Sequence, residues 1–262
     1  MKAFLCIHGF GKHQAGFSES MRRDVEALLG SRTVWKEVLW GDLLGSPASF
    51  HSATMAAETP ALVRAFYEGP EGDAIRARVA QAAHAASGEA GGGPVVLIGH
   101  SLGAAIAYET LARGLAPEAR ALVMLAPPMG LFNHPEMFPT GAPGYPHVEG
   151  DRLPEDVFAL SFRNPNDWFA APLGEDFPDV SEREVLPPPG TSRGANHLFY
   201  WASQAVAESV AAAAVRAASD AGEPPATDVE YALLARAVDD SLWTPARAIR
   251  DENGEIIGTC IS

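Results

Sequence analysis

Pro94-Val95-Val96-Leu97-Ile98-Gly99-His100-Ser101-Leu102-Gly103-Ala104-Ala105 decides how this chain folds. Residues 94 to 98 are an unbroken apolar run of strand length, and from Leu102 to Arg113 the sequence turns Ala-rich and helical. Strands buried on both faces read this way, because helices above and below the sheet leave no polar side. Between strand and helix lies Gly99-His100-Ser101-Leu102-Gly103, a GxSxG pattern. A glycine two residues either side of the serine suits a sharp strand-to-helix turn, where larger side chains would strike strand or helix. Such a turn presents a serine hydroxyl as a nucleophile. The plainer alternative is a small serine in an ordinary turn.

Strands and helices alternate outward from this stretch. Lys2 to Ile7 reads as a first strand, and Ser18 to Leu29 as a helix with Met21, Val25, Leu28 and Leu29 on one face and Gly30 at its end. Thr33 to Leu39, Ala119 to Leu125 and Val157 to Phe162 are further strands, and Glu184 to Leu186 begins another. Ala61 to Tyr67 and Asp73 to Ala86 are helical, with Asp73 as the N-cap of the second. Leu198 to Ser219, which has no Gly or Pro, reads as one long helix. The class is therefore α/β, a mostly parallel sheet flanked by helices.

Seven prolines between Pro127 and Pro154 exclude a long helix or a central strand there. This excursion reads as a lid-like loop or, alternatively, a tolerated insertion. After Gly222, Asp228 to Val238 is helical, and Asn253-Gly254 marks a hairpin between two short β-prone runs. The expected organisation is a catalytic unit over 1–221 and a helix-plus-hairpin extension over 222–262, packed on the same domain.

Composition narrows the partners. The 262 residues carry 19 Lys and Arg against 33 Asp and Glu, a formal charge of −14. That balance repels phosphate backbones and anionic lipid surfaces, so neither nucleic acid nor membrane insertion is expected. No apolar run approaches the roughly 20 residues of a spanning helix, and Met1 to Ile7 reads as a buried strand, which leaves a cytoplasmic protein as the expectation. Cys6 and Cys260 have no metal-ligand spacing, and no HExxH-like cluster supports a metal-dependent hydrolase, so no metal and no cofactor is expected. The oligomeric state is left open.

A serine nucleophile needs a base and an acid to orient it. Of eight histidines, His8 and His100 belong to glycine motifs, His134 and His147 lie in the proline-rich excursion, and His13, His51 and His84 precede the elbow. His197, in a loop ahead of the Ala-rich helix, remains as the base. Asp167 lies just past the strand ending at Phe162, whereas Asp151 and Asp156 precede that strand and Glu175, Asp176 and Asp179 read as surface charges. His8-Gly9-Phe10-Gly11 follows the first strand, and the backbone N–H groups of Phe10 and Leu102 are the candidate oxyanion donors. Phe132, Met137, Phe138, Trp168 and Phe169 are candidates for an apolar substrate pocket, or else pack the loops onto the sheet.

With the order Ser101, Asp167, His197, the GHSLG elbow and the upstream HG loop, residues 2 to 219 resemble an α/β-hydrolase. HGFG, Trp40-Gly41-Asp42 and Asn196-His197-Leu198-Phe199-Tyr200-Trp201 are most similar to its lipase-like serine esterases. The resemblance implies hydrolysis of a carboxylic ester through an acyl-enzyme on Ser101, with His197 as base and Asp167 as orienting acid. Because the chain begins at the HG strand, about six core strands are expected instead of eight, with no helical cap domain. Acyl transfer or thioester cleavage would use the same residues, and a binding protein that kept the fold without catalysis is the alternative of another class. A neutral base implies activity that rises through the range of an ordinary imidazole, about pH 6.5.

Overall fold

Successive residues of a strand face opposite sides of a sheet, so a wholly apolar strand must be covered twice. The computed structural model, which describes residues 1–11, 13–44, 61–133, 152–167, 169–238, 247–250 and 256–260, meets this demand with three layers. Strands β1 (Ala3–Ile7), β2 (Val34–Val38), β3 (Val95–His100), β4 (Ala119–Leu125), β5 (Phe158–Arg163) and β6 (Val180–Glu184) form one sheet in the order β2-β1-β3-β4-β5-β6. Every pair is parallel. The chain builds outward from β1 to β2, then crosses to β3 on the other side. The carboxyl ends of β1 and β3 therefore meet at the switch point, where open α/β sheets form their crevice.

Leu5, Ile7, Leu97, Leu122 and Met124 face one side, covered by helix α2 over 61–68, α3 (Pro70–Glu89) and α4 (Leu102–Ala112). Phe4, Cys6, Val96, Ile98, Val123 and Leu160 face the other, under α1 (Glu19–Leu29) and, beyond the short α5 (Met129–Asn133) and α6 (Arg193–Asn196), under α7 (Gln204–Asp220). On α1 the buried Met21, Val25 and Leu29 recur every fourth residue, each contributing about 1.5–3 kcal/mol by burial. Gly30 ends the helix with φ 63°.

Three element boundaries differ from the sequence expectation. The second helix of the pair begins at Pro70 and runs to Glu89, with Gly69 as N-cap; Asp73 lies inside its first turn and accepts a bond from Arg76 at 2.7 Å. Proline at a first helical position has no N–H to leave unpaired. The Ala-rich helix begins at Gln204. Before it, Phe199–Ala202 is a 3-10 turn and Ser203 is extended, because the buried rings of Tyr200 and Trp201 hold this segment against the sheet. The last strand of the six-stranded sheet is Val180–Glu184, earlier than the expected 184–186. Its charges hid it: as an edge strand it carries Glu182 and Glu184, both paired with Arg163 of β5.

Past α7, α8 (Asp228–Val238) packs on α7, and its Glu230 pairs with Lys2 beside β1. The expected hairpin is present as β7 (Arg247–Arg250) antiparallel to β8 (Ile256–Cys260). Most of the proline-rich excursion, 134–151, lies outside the described residues.

Candidate active site

The turn from β3 to α4 is strained at one residue. Ser101 has φ 52° and ψ −127°, and Ala126 is the only other non-glycine with positive φ among the described residues. That backbone costs about 1–2 kcal/mol and persists because its surroundings fix it. The Ser101 N–H donates to Leu125 O at 2.8 Å, and its carbonyl accepts the Ala104 N–H at 2.8 Å. A Cβ on Gly103 would lie 2.3 Å from Ile7 O and 2.4 Å from His8 O, so only glycine lets α4 start this close to β1. Ser101 is half-buried at the carboxyl end of β3, and Leu102 opens α4. The first amides of a helix have no partner within it and point at whatever stands before it.

Asp167 lies in the loop after β5 and His197 just after α6; both are buried. His197 Nδ1 is 2.8 Å from Asp167 Oδ2. A carboxylate only accepts, so Nδ1 carries a proton, and in the neutral tautomer this leaves Nε2 with the lone pair a general base requires. The other carboxylate oxygen accepts the Phe169 N–H at 3.2 Å. Asp156, by contrast, precedes β5 and pairs with Arg120 at 3.3 Å. His100 joins the turn at Ser101 to His197: its Nε2 donates to His197 O at 2.6 Å, and the two rings stand 4.8 Å apart. Burial and the neighbouring His197 hold the His100 imidazole well below its usual pKa, so it is neutral.

The loop after β1 is built around His8. Its Nδ1 lies 2.5 Å from Gly9 O, and the Trp40 N–H donates to its Nε2 at 3.2 Å. These two bonds require Nδ1–H and an unprotonated Nε2, the neutral imidazole in a single tautomer. Burial lowers its pKa to about 4, against the bond to Gly9 that favours the cation. The ring stacks between Trp40, 4.9 Å away, and His13, 4.4 Å away, and the Trp40 indole N–H donates to His8 O at 2.8 Å. In a trans peptide the N–H points opposite the carbonyl before it. With Gly9 O held toward His8, the Phe10 N–H is directed away from that ring. Gly9 itself lies against the turn at Ser101, since a Cβ there would be 2.8 Å from Ser101 Cβ. Glu37 of β2 fixes the far end of the loop by accepting from Gly16 N (2.6 Å), Ser18 N (2.8 Å) and Ser18 Oγ (2.5 Å).

Of the expected pocket residues, Phe169 is half-buried with its ring 5.2 Å from that of His197. Phe132 falls on α5; Met137, Phe138 and Trp168 lie outside the described residues. Phe10 and Leu102 are both buried at the crevice. Sequence reasoning did not single out Tyr200, whose hydroxyl reaches Asp167, or the link from His100 to His197. A histidine beside Ser101 and a tyrosine three residues after His197 were the available signals, and neither says where its ring points. Among the described residues no group of three or more His, Cys, Asp or Glu could hold a metal ion, and no helix is long and apolar enough to cross a membrane.

The sequence profile of the alpha/beta hydrolase family matches residues 4–252. No curated protein matches the chain. Similar solved structures include a proposed alpha/beta superfamily hydrolase from Xanthomonas campestris pv. campestris, at 18% identity and TM-score 0.43, covering 80% of this chain and 96% of that one. Another is a proposed cell surface hydrolase from Lactobacillus plantarum WCFS1, at 12% identity and TM-score 0.41, covering 81% and 89%.

Proposed function

The chain belongs to the alpha/beta hydrolase family, and from that premise we propose that it is a serine hydrolase cleaving a carboxylic ester. Ser101 attacks the ester carbonyl, His197 Nε2 takes its proton, and Asp167 holds the imidazole and stabilises its cation. The oxyanion forms against the N–H groups of Phe10 and Leu102. His197 then returns the proton to the leaving alcohol, and water activated by the same imidazole releases the acid from the acyl-enzyme. The observation that carries this reading is the buried 2.8 Å contact between His197 Nδ1 and Asp167 Oδ2, with the His197 carbonyl bonded to His100, the neighbour of the strained Ser101.

Residues 1–221 form the catalytic unit in this reading, with 222–262 packed on it; the contacts of α8 with α7 and the pairing of Lys2 with Glu230 support that packing for α8. Phe169 beside His197 supports an apolar acyl site. The excess of 33 acidic over 19 basic residues supports an uncharged soluble ester over an anionic phospholipid.

The test is hydrolysis of p-nitrophenyl esters of increasing acyl length by the wild type and Ser101→Ala, with fluorophosphonate labelling of both. Turnover and labelling by the wild type alone support the reading, with a loss in Ser101→Ala of at least about 10³-fold. Equal activity in both proteins removes Ser101 as nucleophile. An unreactive wild type points to a protein that keeps the fold without catalysis.

A further inference from the structure

Tyr200 is fully buried and 33 residues from Asp167 in sequence, yet its hydroxyl lies 3.3 Å from Asp167 Oδ2, the oxygen that also holds His197. On its other side the Asn164 N–H donates to the same hydroxyl at 2.8 Å. An amide N–H only donates, so the phenol oxygen accepts from Asn164 and its own proton is directed at the carboxylate. Asn164 also braces the loop: its carbonyl accepts the Asp167 N–H at 2.9 Å and its Oδ1 accepts the Asn166 N–H at 3.0 Å. Asp167 thus receives the imidazole and the phenol on one oxygen and the Phe169 amide on the other.

We propose that Tyr200 is a positioning residue of the catalytic set, donating to Asp167 Oδ2 so that the carboxylate keeps the orientation in which it holds His197 and exerts a tempered pull on its proton. The proposal rests on the assignment of Asp167 and His197 made above. A donor to the carboxylate spreads its charge, which makes the imidazolium less favoured and Nε2 available at lower pH. Burial and the adjacent carboxylate raise the Tyr200 pKa, so the phenol stays protonated throughout the working range. The other charged or titratable groups facing the ring are Arg163 and His100, whose ring centre is 6.2 Å away.

The experiment follows the fluorophosphonate inactivation rate from pH 5 to 9 for the wild type, Tyr200→Phe, Asp167→Ala and the double variant. Tyr200→Phe should react about tenfold more slowly, with the midpoint of its acid limb moved up by about half a pH unit. In the Asp167→Ala background the same change should alter the rate less than twofold, because the hydroxyl has lost the group it acts on. An equal loss in both backgrounds with an unmoved limb makes Tyr200 merely structural and overturns the proposal. If Asp167→Ala reacts as fast as the wild type, or the wild type does not react, the hydrolase assignment fails and the proposal with it. Should Tyr200→Phe not fold, 3-fluorotyrosine at position 200 keeps ring and hydroxyl and strengthens the donor. Its acid limb should then move down, and an upward or absent shift counts against the proposal.

Discussion

His100 Nε2 lies 2.6 Å from the carbonyl oxygen of His197, so the residue before Ser101 holds the backbone of His197 across 97 positions of sequence. The carbonyl can only accept, which fixes the proton on Nε2, and the neutral ring keeps donating as the pH falls. The amide nitrogen of glutamine reaches about as far as Nε2, whereas alanine reaches nothing. His100→Gln should therefore hydrolyse p-nitrophenyl butyrate within about tenfold of the wild type, and His100→Ala about 100-fold more slowly, the cost of a base displaced by roughly 1 Å. Equal rates for the two variants would show that the bond does not position His197.

His8 predicts an unusual acid sensitivity. Its pKa falls from 6.5 unfolded to about 4 folded, because the buried ring resists charge. Between those values the unfolded chain binds the extra proton, so stability is full above about 6.5 and is lost as the pH falls toward 4. The shift amounts to about 3 kcal/mol from this one residue. His13 and His100 are lowered by burial too and add in the same direction. Urea unfolding midpoints should drop from pH 7 downward, before carboxylates titrate. His8→Asn, whose amide nitrogen can replace Nδ1 toward Gly9 O, should flatten that dependence; a wild-type midpoint constant down to pH 4.5 would contradict the assignment.

Two glycines of the crevice should separate stability from activity. Gly103→Ala would drive its Cβ against the Ile7 and His8 carbonyls at 2.3 and 2.4 Å, backbone atoms of and just beyond a central strand. A loss of about 3 kcal/mol is expected in thermal or urea unfolding. Gly9→Ala meets Ser101 Cβ at 2.8 Å from a loop, which can shift and carry the Phe10 amide with it. That variant should melt close to the wild type while losing about 10²-fold in ester hydrolysis, the usual cost of one oxyanion donor. A Gly9→Ala enzyme with full activity would remove the Phe10 amide from the mechanism.

The elements most legible in the sequence were those whose burial is complete. Val95 to Ile98 and Ala121 to Leu125 are apolar throughout because helices cover both faces, so composition alone announced them. β6 was displaced by several residues because an edge strand tolerates Ser181, Glu182, Arg183 and Glu184, and its partner Arg163 is invisible along the chain. The start of α7 was misjudged for a related reason. Leu198 to Ala202 favours helix by propensity, but the buried Tyr200 and Trp201 rings tie it into a 3-10 turn.

What the sequence determined by itself was the chemistry on offer: a glycine-flanked serine between strand and helix, a carboxylate just past a strand, and a histidine in a later loop. These are local facts, set by backbone strain, residue type and chain order. Only the tertiary structure decided that Asp167 Oδ2 meets His197 Nδ1, that Tyr200 donates to the same oxygen, and that His8 rather than His100 turns the Gly9 carbonyl. Each of these depends on where a ring points after strands 20 to 100 residues apart have been brought side by side. Hydrogen bonds of fixed direction form there because burial leaves each polar atom with few partners.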